Sequence, residues 1–404
     1  MRIVRLANFV APNSGGLRTA LRELGAGYLA AGHEPVLVIP GATDSDERTR
    51  QGRVITIRGP VVPASGGYRL LLSRNRLRDL LDELRPDRLE VSDRSTLRWT
   101  GAWARSHGVP SVMVSHESVA GLFGLAGRVL SGPTGAVADV LNRRTAKHYT
   151  RVLCTTQWAA AEFERLGVTN LDRVPLGVDL DLFSPQRYSA TVRDRYALPH
   201  ELLIVHCGRL SPEKKPVRSI RALAALREQG VPARLVVAGA GPLGKRLRRQ
   251  AGDLPVRFAG FIRDRMALAG LLACADVVLA PGPVETFGLA ALEALACGTP
   301  VVVDAASALP EVVGRAGVAV ADEDFAAGAC AVLRQPPAER RAAARQRAEE
   351  FGWPVAVAGF LAAHGLSPVP GLSPVPAADG APGAGPAGGL LAGEAEVVAG
   401  GVPV

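Results

Sequence analysis

The sequence predicts an α/β protein of two doubly wound domains in series, followed by a disordered tail. Short apolar runs alternate with helical periodicity, and this alternation restarts near the middle of the 404-residue chain. Such alternation favours parallel sheets with helices on both faces. The length points the same way, because one ordinary hydrophobic core rarely serves so many residues.

The first predicted domain comprises residues 1–185. Its strand-like apolar runs are Ile3 to Asn8, Val36 to Ile39, Val54 to Ile57, Asp87 to Ser92, Val109 to Ser115 and Arg151 to Thr155. Gly15 and Gly16 interrupt the chain after the first run, and Leu17 to Ala31 then has the spacing of an amphipathic helix. The segment VPLGVDLDLFSP, residues 174–185, closes this domain.

The second predicted domain comprises residues 186–364, and its last helix is a candidate to pack back on the first domain. Its strand-like runs are Leu202 to Cys207, Arg234 to Ala238, Val256 to Phe258, Asp276 to Ala280 and Pro300 to Val303. Helical stretches such as Val217 to Glu228 separate most of them. Because doubly wound domains bind ligands beyond the carboxyl ends of their strands, we expect the site in a cleft between the domains.

Residues 365–404 form the predicted disordered tail. They contain the hexapeptide GLSPVP twice in succession, are rich in Pro and Gly, and include no aromatic or basic residue. This composition is typical of low-complexity sequence, so we assign the tail no catalytic part.

The composition narrows the classes of function. The net charge is +9, and most of the excess falls in residues 1–195, which indicates an anionic partner there. Nucleic acid is not expected, because no aromatic-rich basic motif appears. No apolar run is long enough to span a bilayer, and MRIVRLANFV resembles a first strand rather than a leader peptide. The five cysteines lack C-x-x-C spacing, so we expect core residues in a cytoplasmic protein, either free or peripheral on the inner face of the plasma membrane.

Two glutamates stand out in PGPVETFGLAALEALACGTPVVV, residues 281–303. Glu285 follows a predicted strand and precedes a helix predicted to begin near Phe287, while Glu293 lies about two turns into that helix among apolar residues. An ionised group in such surroundings costs several kcal/mol unless it is paired or hydrogen-bonded. The glutamates either accept hydrogen bonds from a ligand or are structural, with Glu285 complementing the helix dipole and Glu293 pairing with an arginine.

Two earlier segments suggest a phosphate ligand. HCGRLSPEKKP, residues 206–216, supplies Arg209 and Lys214 after a strand, and two cations at this position suit a diphosphate. VVAGAGPLGKRL, residues 236–247, places Gly239 and Gly241 after another strand, where a ligand could approach the backbone. A tight strand–helix turn would explain the same glycines.

The order GRLSPEK, VVAGAGP, FAGFI, ETFGLAALEALACGTPVV resembles the C-terminal domain of the retaining glycosyltransferases of the GT4 family, which are hexosyltransferases with the GT-B fold. The likeness extends from residue 1 to about residue 360. It implies that Glu285 bonds hydroxyls of the donor sugar and that Glu293 bonds the ribose of the nucleotide. It also implies that the diphosphate is held by Arg209, Lys214 and amides near Phe287, Gly288 and Leu289.

The first half of the chain agrees with this resemblance. NFVAPNSGGLRTA, residues 8–20, is similar to the family's glycine loop, in which Gly16, next to Gly15, would let the backbone meet the diphosphate. VMVSHESVAG places His116 where the family often has a histidine near the donor sugar, although a lone His beside Glu117 is more often structural. The resemblance also implies that the loop around Phe261 and Ile262 contacts the base.

Within the family, the segments NFVAPNSGGLRTA and APGPVETFGLAALEALACGTP are similar to actinobacterial mannosyltransferases that transfer mannose from GDP-mannose to a phosphatidylinositol mannoside. This likeness implies GDP-mannose as co-substrate and a glycolipid acceptor. A UDP- or GDP-sugar transferase with a soluble acceptor, such as an inositol phosphate or a glycan, is an alternative, as is a non-catalytic nucleotide-sugar-binding protein. The chain departs from the family at Lys215, where many members have Gly, and at Leu176, where Asn is usual.

We expect no metal cofactor, because the resemblance implies an enzyme type that usually needs none. Asp44-Ser45-Asp46 and Asp322-Glu323-Asp324 match the D-x-D pattern by which other glycosyltransferases hold a metal. Neither triplet directly follows an apolar strand, so both are predicted to be solvated loops.

A basic, leucine-rich segment, GGYRLLLSRNRLRDLLDEL, spans residues 66–84 and contains Arg69, Arg74, Arg76 and Arg78. A helix with leucines on one face and arginines on the other could lie on an anionic membrane. Alternatively it is an ordinary helix that packs its leucines on the sheet.

Overall fold

Two separate sheets form the framework of the protein, which confirms the predicted pair of doubly wound α/β units. The computed structural model describes residues 1–10, 15–62, 67–116, 134–321 and 324–367. The predicted tail lies outside the described residues from residue 368 onward.

The first sheet has eight strands in the order β3-β4-β2-β1-β5-β6-β7-β8. They are β1 (Arg2–Leu6), β2 (Glu34–Gly41), β3 (Ser45–Thr49), β4 (Gly52–Arg58), β5 (Arg88–Val91), β6 (Ser111–Ser115), β7 (Arg151–Cys154) and β8 (Leu171–Arg173). Neighbours are parallel except for β3, which pairs antiparallel with β4 at the sheet edge. The sequence SDERT of β3 is polar and mostly exposed, so no apolar alternation marks it as a strand.

The second sheet has six parallel strands in the order β11-β10-β9-β12-β13-β14. They are β9 (Leu202–Cys207), β10 (Ala233–Ala238), β11 (Val256–Gly260), β12 (Val277–Ala280), β13 (Val301–Asp304) and β14 (Gly317–Val320). The chain direction across the sheet reverses between β9 and β12. Such a switch point opens a crevice at the carboxyl ends of the two strands, where ligands of doubly wound folds bind.

Helices cover the faces of both sheets. The N-lobe, defined as β1 to β8 and their helices, contains α1 (Gly16–Ala30), α2 (Arg74–Leu84), α3 (Trp99–Ser106), α4 (Thr134–His148) and α5 (Gln157–Glu164). In the chain, α6 (Ala190–Asp194) follows the N-lobe and precedes β9, and it packs against the helix Arg265–Cys274. The C-lobe, defined as β9 to β14 and their helices, contains α7 (Val217–Glu228), α8 (Gly244–Ala251), α9 (Arg265–Cys274), α10 (Leu289–Ala296), α11 (Leu309–Val313) and α12 (Phe325–Leu333). The last described helices are α13 (Pro337–Glu349) and α14 (Trp353–Ala363).

The central strands are buried on both faces, which explains their continuous apolar sequences. In β9, Leu203 and Val205 belong to one hydrophobic cluster, whereas Ile204 between them belongs to another on the opposite face. Burial of this kind is typical of parallel sheets covered by helices on both sides.

The end of the described chain returns to the N-lobe, where α14 packs against α1. The approach is so close that a Cβ at Gly27 would lie 2.3 Å from the Val357 side chain. A buried polar cluster fixes the contact: Glu90 accepts hydrogen bonds from Arg5 at 2.7 Å and Tyr28 at 2.6 Å, and its other contact is the His364 ring at 3.2 Å. The carboxylate is therefore paired, as a buried charge must be.

Among the described residues, no helix is both long and apolar enough to cross a bilayer.

Candidate active site

The loop after β12 positions Glu285 at the switch point. Helix α10 begins at Leu289, two residues beyond Phe287, near which the sequence predicts its start. The reason is Gly288, which caps the helix with φ of +79°, a left-handed conformation that side chains rarely adopt. A Cβ at Gly288 would also lie 2.2 Å from the Leu309 side chain, so this position needs glycine twice over.

Glu285 forms an ion pair with Lys214, and both side chains are partly buried. Lys214 ends a short 3₁₀ turn, Pro212–Lys214, that follows β9. The loop and the turn pack closely, since a Cβ at Gly282 would lie 3.3 Å from the Lys214 Cα. The structure thus brings together one predicted sugar-binding carboxylate and one predicted phosphate-binding cation.

Lys215 has φ of +46° and ψ of +43°, in the left-handed region. A residue with a Cβ is strained there by roughly 1–2 kcal/mol, and glycine is not. The departure at Lys215 therefore falls at a position whose backbone favours glycine.

Arg209 is held from two sides. Its guanidinium lies 2.9 Å from the Glu213 carboxylate and donates to the hydroxyl of Tyr68 in the N-lobe. The same guanidinium also stacks 4.9 Å from the centre of the Tyr68 ring. Arg209 therefore lies where the two lobes meet, and it is contacted there by a tyrosine that no sequence motif singled out.

Glu293 lies in α10 and is only 8% exposed. Its carboxylate accepts a 3.1 Å hydrogen bond from Arg265, so the arginine pairing considered from the sequence does occur. Burial raises the pKa of Glu293 to about 7, and the neighbouring Arg265 offsets part of that rise. Near neutral pH the carboxyl is thus poised between its two protonation states.

Two helix N-termini converge beside these residues. Helix α1 begins at Gly16, and a Cβ at Gly16 would lie 3.8 Å from the Leu289 side chain at the start of α10. The N-cap residues, Gly15 and Gly288, supply no side chain to cap the first turns. Because the first N–H groups of a helix have no intrahelical partner, the convergence favours an anion.

His116 follows β6, and its main-chain carbonyl accepts a 2.6 Å hydrogen bond from the Thr286 hydroxyl. This bond joins the two lobes one residue from Glu285. Burial lowers the pKa of His116 to about 4, so its imidazole is neutral at physiological pH.

The remaining predicted residues are placed differently. A Cβ at Gly239 or Gly241 would lie 1.8 or 2.5 Å from the carbonyl oxygens of Gly208 and Leu210, so backbone packing alone requires both glycines. The Phe287 ring is buried, with its centre 6.1 Å from that of Phe351, so its side chain belongs to the core.

The predicted base-contacting loop follows β11. Phe261 is 39% exposed, whereas Ile262 packs against the core. This loop leads directly into the Arg265 end of α9.

Two family models match the chain: residues 15–178 match "Glycosyl transferase 4-like domain" and residues 201–335 match "Glycosyl transferases group 1". A GDP-mannose-dependent alpha-(1-6)-phosphatidylinositol dimannoside mannosyltransferase of Mycobacterium tuberculosis is 53% identical over 372 residues, covering 90% of this chain and 96% of that protein. The chain belongs to the GT4 glycosyltransferases.

Two further similarities extend this assignment. A D-inositol 3-phosphate glycosyltransferase of Streptomyces scabiei is 36% identical over 231 residues, 52% of each chain. A sucrose-phosphate synthase of Thermosynechococcus elongatus superimposes with a TM-score of 0.69 at 22% identity, covering 88% of this chain and 96% of that one. The second similarity concerns the fold, and it confirms the GT-B architecture expected from the sequence.

Three residues of this glycosyltransferase site were not predicted: Tyr68, Arg265 and Thr286. Each contacts the opposite lobe, and such contacts join residues more than a hundred positions apart. Only Arg265 had a local signal, because Asp264 before it is a typical N-cap and accepts a 2.8 Å bond from the Met266 amide.

The first acidic triplet of this glycosyltransferase is engaged in ion pairs. Asp44 accepts bonds from Arg76 at 2.7 Å and Asp46 from Arg53 at 2.6 Å. The prediction of a loop is wrong for Ser45-Asp46, which begin the edge strand β3. Asp322 and Glu323 lie outside the described residues, and among those described no group of three or more His, Cys, Asp or Glu is arranged to hold a metal.

Only the second part of the basic segment, Arg74–Leu84, forms the helix α2. Leu77, Leu81 and Leu84 are buried in the hydrophobic cluster beneath the helix. Arg74 and Arg78 are exposed on the helix surface. The leucines therefore pack on the sheet, and a membrane contact through the arginines stays a prediction.

Proposed function

We propose that this glycosyltransferase transfers an α-mannosyl residue from GDP-mannose to a phosphatidylinositol mannoside, with retention of anomeric configuration. The observation that carries the proposal is the 53% identity, over 96% of its length, to a mannosyltransferase named for that donor and acceptor class. The site geometry supports the same reaction type, because cations, uncapped helix N-termini and carboxylates lie together at the switch point.

In this proposal the donor diphosphate lies between the N-termini of α1 and α10. Amides after Gly15 and Gly16, with those of Phe287, Gly288 and Leu289, supply neutral hydrogen bonds. Arg209 and Lys214 supply the positive charge, which acts most strongly as the leaving diphosphate gains charge in the transition state. Lys214 is already within reach of the sugar-binding carboxylate, Glu285.

The reaction exchanges one bond at the anomeric carbon for another. The bond from this carbon to the diphosphate oxygen breaks, and a bond to the acceptor hydroxyl oxygen forms on the same face. The hydroxyl proton passes to the departing phosphate oxygen, as family precedent favours. Glu285 orients the sugar through its hydroxyls, and neutral His116 borders the reacting carbon.

The nucleoside occupies the remainder of the C-lobe crevice. Glu293 accepts hydrogen bonds from the ribose hydroxyls, and the loop of Phe261 and Ile262 contacts the base. Gly239 and Gly241 keep the neighbouring turn close to the Arg209 segment. The proposed mechanism uses no metal ion.

A second candidate is transfer to a soluble acceptor, supported by the similarity to a D-inositol 3-phosphate glycosyltransferase. The mannosyltransferase of Mycobacterium tuberculosis, which matches over 96% of its length, favours the lipid acceptor. The exposed arginines of α2 suit a peripheral contact with anionic lipid, which would bring the N-lobe to such an acceptor.

One assay separates these candidates. The purified protein is incubated with a panel of radiolabelled sugar nucleotides and a membrane lipid extract, with and without EDTA. We expect label to move into lipid only from GDP-mannose, at a rate that EDTA does not change. Label only in water-soluble product supports the second candidate, and donor binding without product indicates a non-catalytic binding protein. Loss of activity in EDTA would show that a metal takes part.

A further inference from the structure

Arg265 occupies a position that the proposed mechanism does not use. It is the first residue of α9, directly after the loop of Phe261 and Ile262, and Asp264 caps the helix before it. Helix geometry therefore fixes its backbone at the nucleoside end of the crevice.

The Arg265 guanidinium joins both lobes. One terminal nitrogen donates to Glu293 at 3.1 Å, and the other donates to the Thr19 hydroxyl of α1 at 3.2 Å. The group also lies 5.0 Å from the centre of the Phe183 ring, which limits its movement. Its Nε is buried without a hydrogen-bond partner among the described residues. These contacts hold the guanidinium and leave its Nε–H donor unpaired, an arrangement that surface charge alone does not explain.

We propose that Arg265 is a positioning residue for nucleotide binding, holding Glu293 ionised and oriented so that its carboxylate accepts the ribose hydroxyls. This inference rests on the proposed function, in which Glu293 meets the ribose. A protonated carboxyl would give up acceptor capacity and present a donor instead. The contact with Thr19 ties this orientation to α1, whose N-terminus faces the diphosphate.

The charges around Glu293 support this role. Arg265 from α9 and Arg22 from α1 favour the ionised carboxyl, while burial and Asp179 oppose it. Cys207 and Cys297 also face the carboxyl, and burial raises the pKa of both thiols to about 12, so they stay neutral. Arg265 is the strongest of the groups that lower the pKa of Glu293.

The test compares Arg265→Gln with Arg263→Gln in the full-length protein. Arg263 is exposed and lies two residues away, so its replacement removes the same charge without touching Glu293. The dissociation constant of GDP-mannose is measured by calorimetry from about pH 6 to about pH 9.5, a range that includes the expected titration of the Glu293 carboxyl in the wild type and in the variant. We expect the midpoint of the affinity rise to move up by about 1–1.5 pH units in Arg265→Gln and to stay in place in Arg263→Gln.

At about pH 7.5 this shift weakens binding by Arg265→Gln about three- to eightfold, and the deficit narrows as pH rises. Arg265→Lys keeps the charge and should restore most of the wild-type pH profile. A deficit of the same size at every pH, in Gln and Lys variants alike, would mean that Arg265 is merely structural and would overturn the inference. If Arg265→Gln does not fold, as judged by circular dichroism, Arg265→Lys is compared with the wild type instead. A deficit in affinity of the same size at every pH again overturns the inference.

Failure of the proposed function looks different. If the wild-type protein binds neither GDP-mannose nor UDP-glucose, Glu293 has no ribose to bind. Both proposals are then wrong. If the wild-type protein binds GDP-mannose and Arg265→Gln does not move the pH midpoint of this affinity, the proposed function stands. Only the role of Arg265 is then rejected.

Discussion

Glu285 and Glu293 come from one short segment, and each pairs with a cation, but the two pairs lie in different surroundings. Glu285 and Lys214 sit on facing loops, partly open to solvent. Glu293 and Arg265 sit on two helices, and their contacts extend to Thr19 in the other lobe. A partly solvated pair can exchange partners with a ligand at low cost, whereas breaking a buried pair leaves an uncompensated charge.

The difference suggests two kinds of work. The pair of Glu285 and Lys214, here called the Glu285 corner, is suited to groups whose charge and bonding change during the reaction. The pair of Glu293 and Arg265, here called the Glu293 corner, is suited to a part of the donor that is bound but does not react. Each variant below tests whether this division holds.

Lys214→Ala should have the largest effect, because it removes a cation that stabilises the departing diphosphate. We expect kcat to fall about 100- to 1,000-fold with little change in thermal stability. The matched control is Lys245→Ala, an exposed lysine on α8. Steady-state mannosyl transfer measures both variants, and unchanged kcat in Lys214→Ala would remove this lysine from the mechanism.

Replacing each glutamate by glutamine should separate the two corners. Glu285→Gln misplaces the reacting sugar, so kcat should fall about 10- to 100-fold. Glu293→Gln weakens hydrogen bonds to a part of the donor that does not react, so the donor KM should rise about tenfold while kcat changes less. Equal kcat losses in both variants would contradict the proposed division.

The pH dependence should report the Glu293 corner alone. Burial raises the pKa of Glu293 from 4.5 to about 7, so donor affinity should rise with pH through that value as the carboxylate forms. His116, with its pKa lowered to about 4 by burial, stays neutral throughout this range.

Stability should move in the opposite direction. A carboxyl with a raised pKa stabilises the fold below its unfolded-state value, and that stabilisation, here about 3 kcal/mol, is lost as pH rises through about 7. Urea unfolding at about pH 5 and about pH 8 measures the loss, which Glu293→Gln should largely remove. The assignment fails if the variant keeps the full wild-type difference.

Much of this site could be predicted from sequence, because its parts follow local patterns. Apolar runs marked the strands after which Arg209, Lys214 and Glu285 follow, and the spacing of Glu285 and Glu293 carried the family resemblance. The polar edge strand β3 had no apolar pattern to mark it. Tyr68 and Arg265 were not predicted, because their roles depend on tertiary contacts with the other lobe. No local periodicity of the sequence encodes such contacts.

Tyr68→Phe should have a smaller effect on the Glu285 corner. The hydroxyl accepts a hydrogen bond from Arg209 that a diphosphate would have to replace. Removing it while keeping the stacked ring should tighten GDP-mannose binding about two- to fivefold, since a net hydrogen bond contributes about 1 kcal/mol. Tyr68→Ala, which also removes the ring, should weaken binding instead. Weaker binding by the Phe variant would mean that the hydroxyl orients Arg209 for the ligand.

The smallest effect concerns backbone strain, which again distinguishes the two corners. Arg265 begins a regular helix behind an Asp cap, whereas Lys215, next to Lys214, is held in a left-handed conformation. Lys215→Gly relieves about 1–2 kcal/mol of strain but also loosens the unfolded chain, so the net gain in unfolding free energy should be about 1 kcal/mol or less. Lys215→Ala keeps the strained Cβ and serves as the control, and urea unfolding measures both. A gain in the Gly variant alone would show that the turn presenting Lys214 is held in place by its surroundings, as a reacting corner requires, rather than by its own preference.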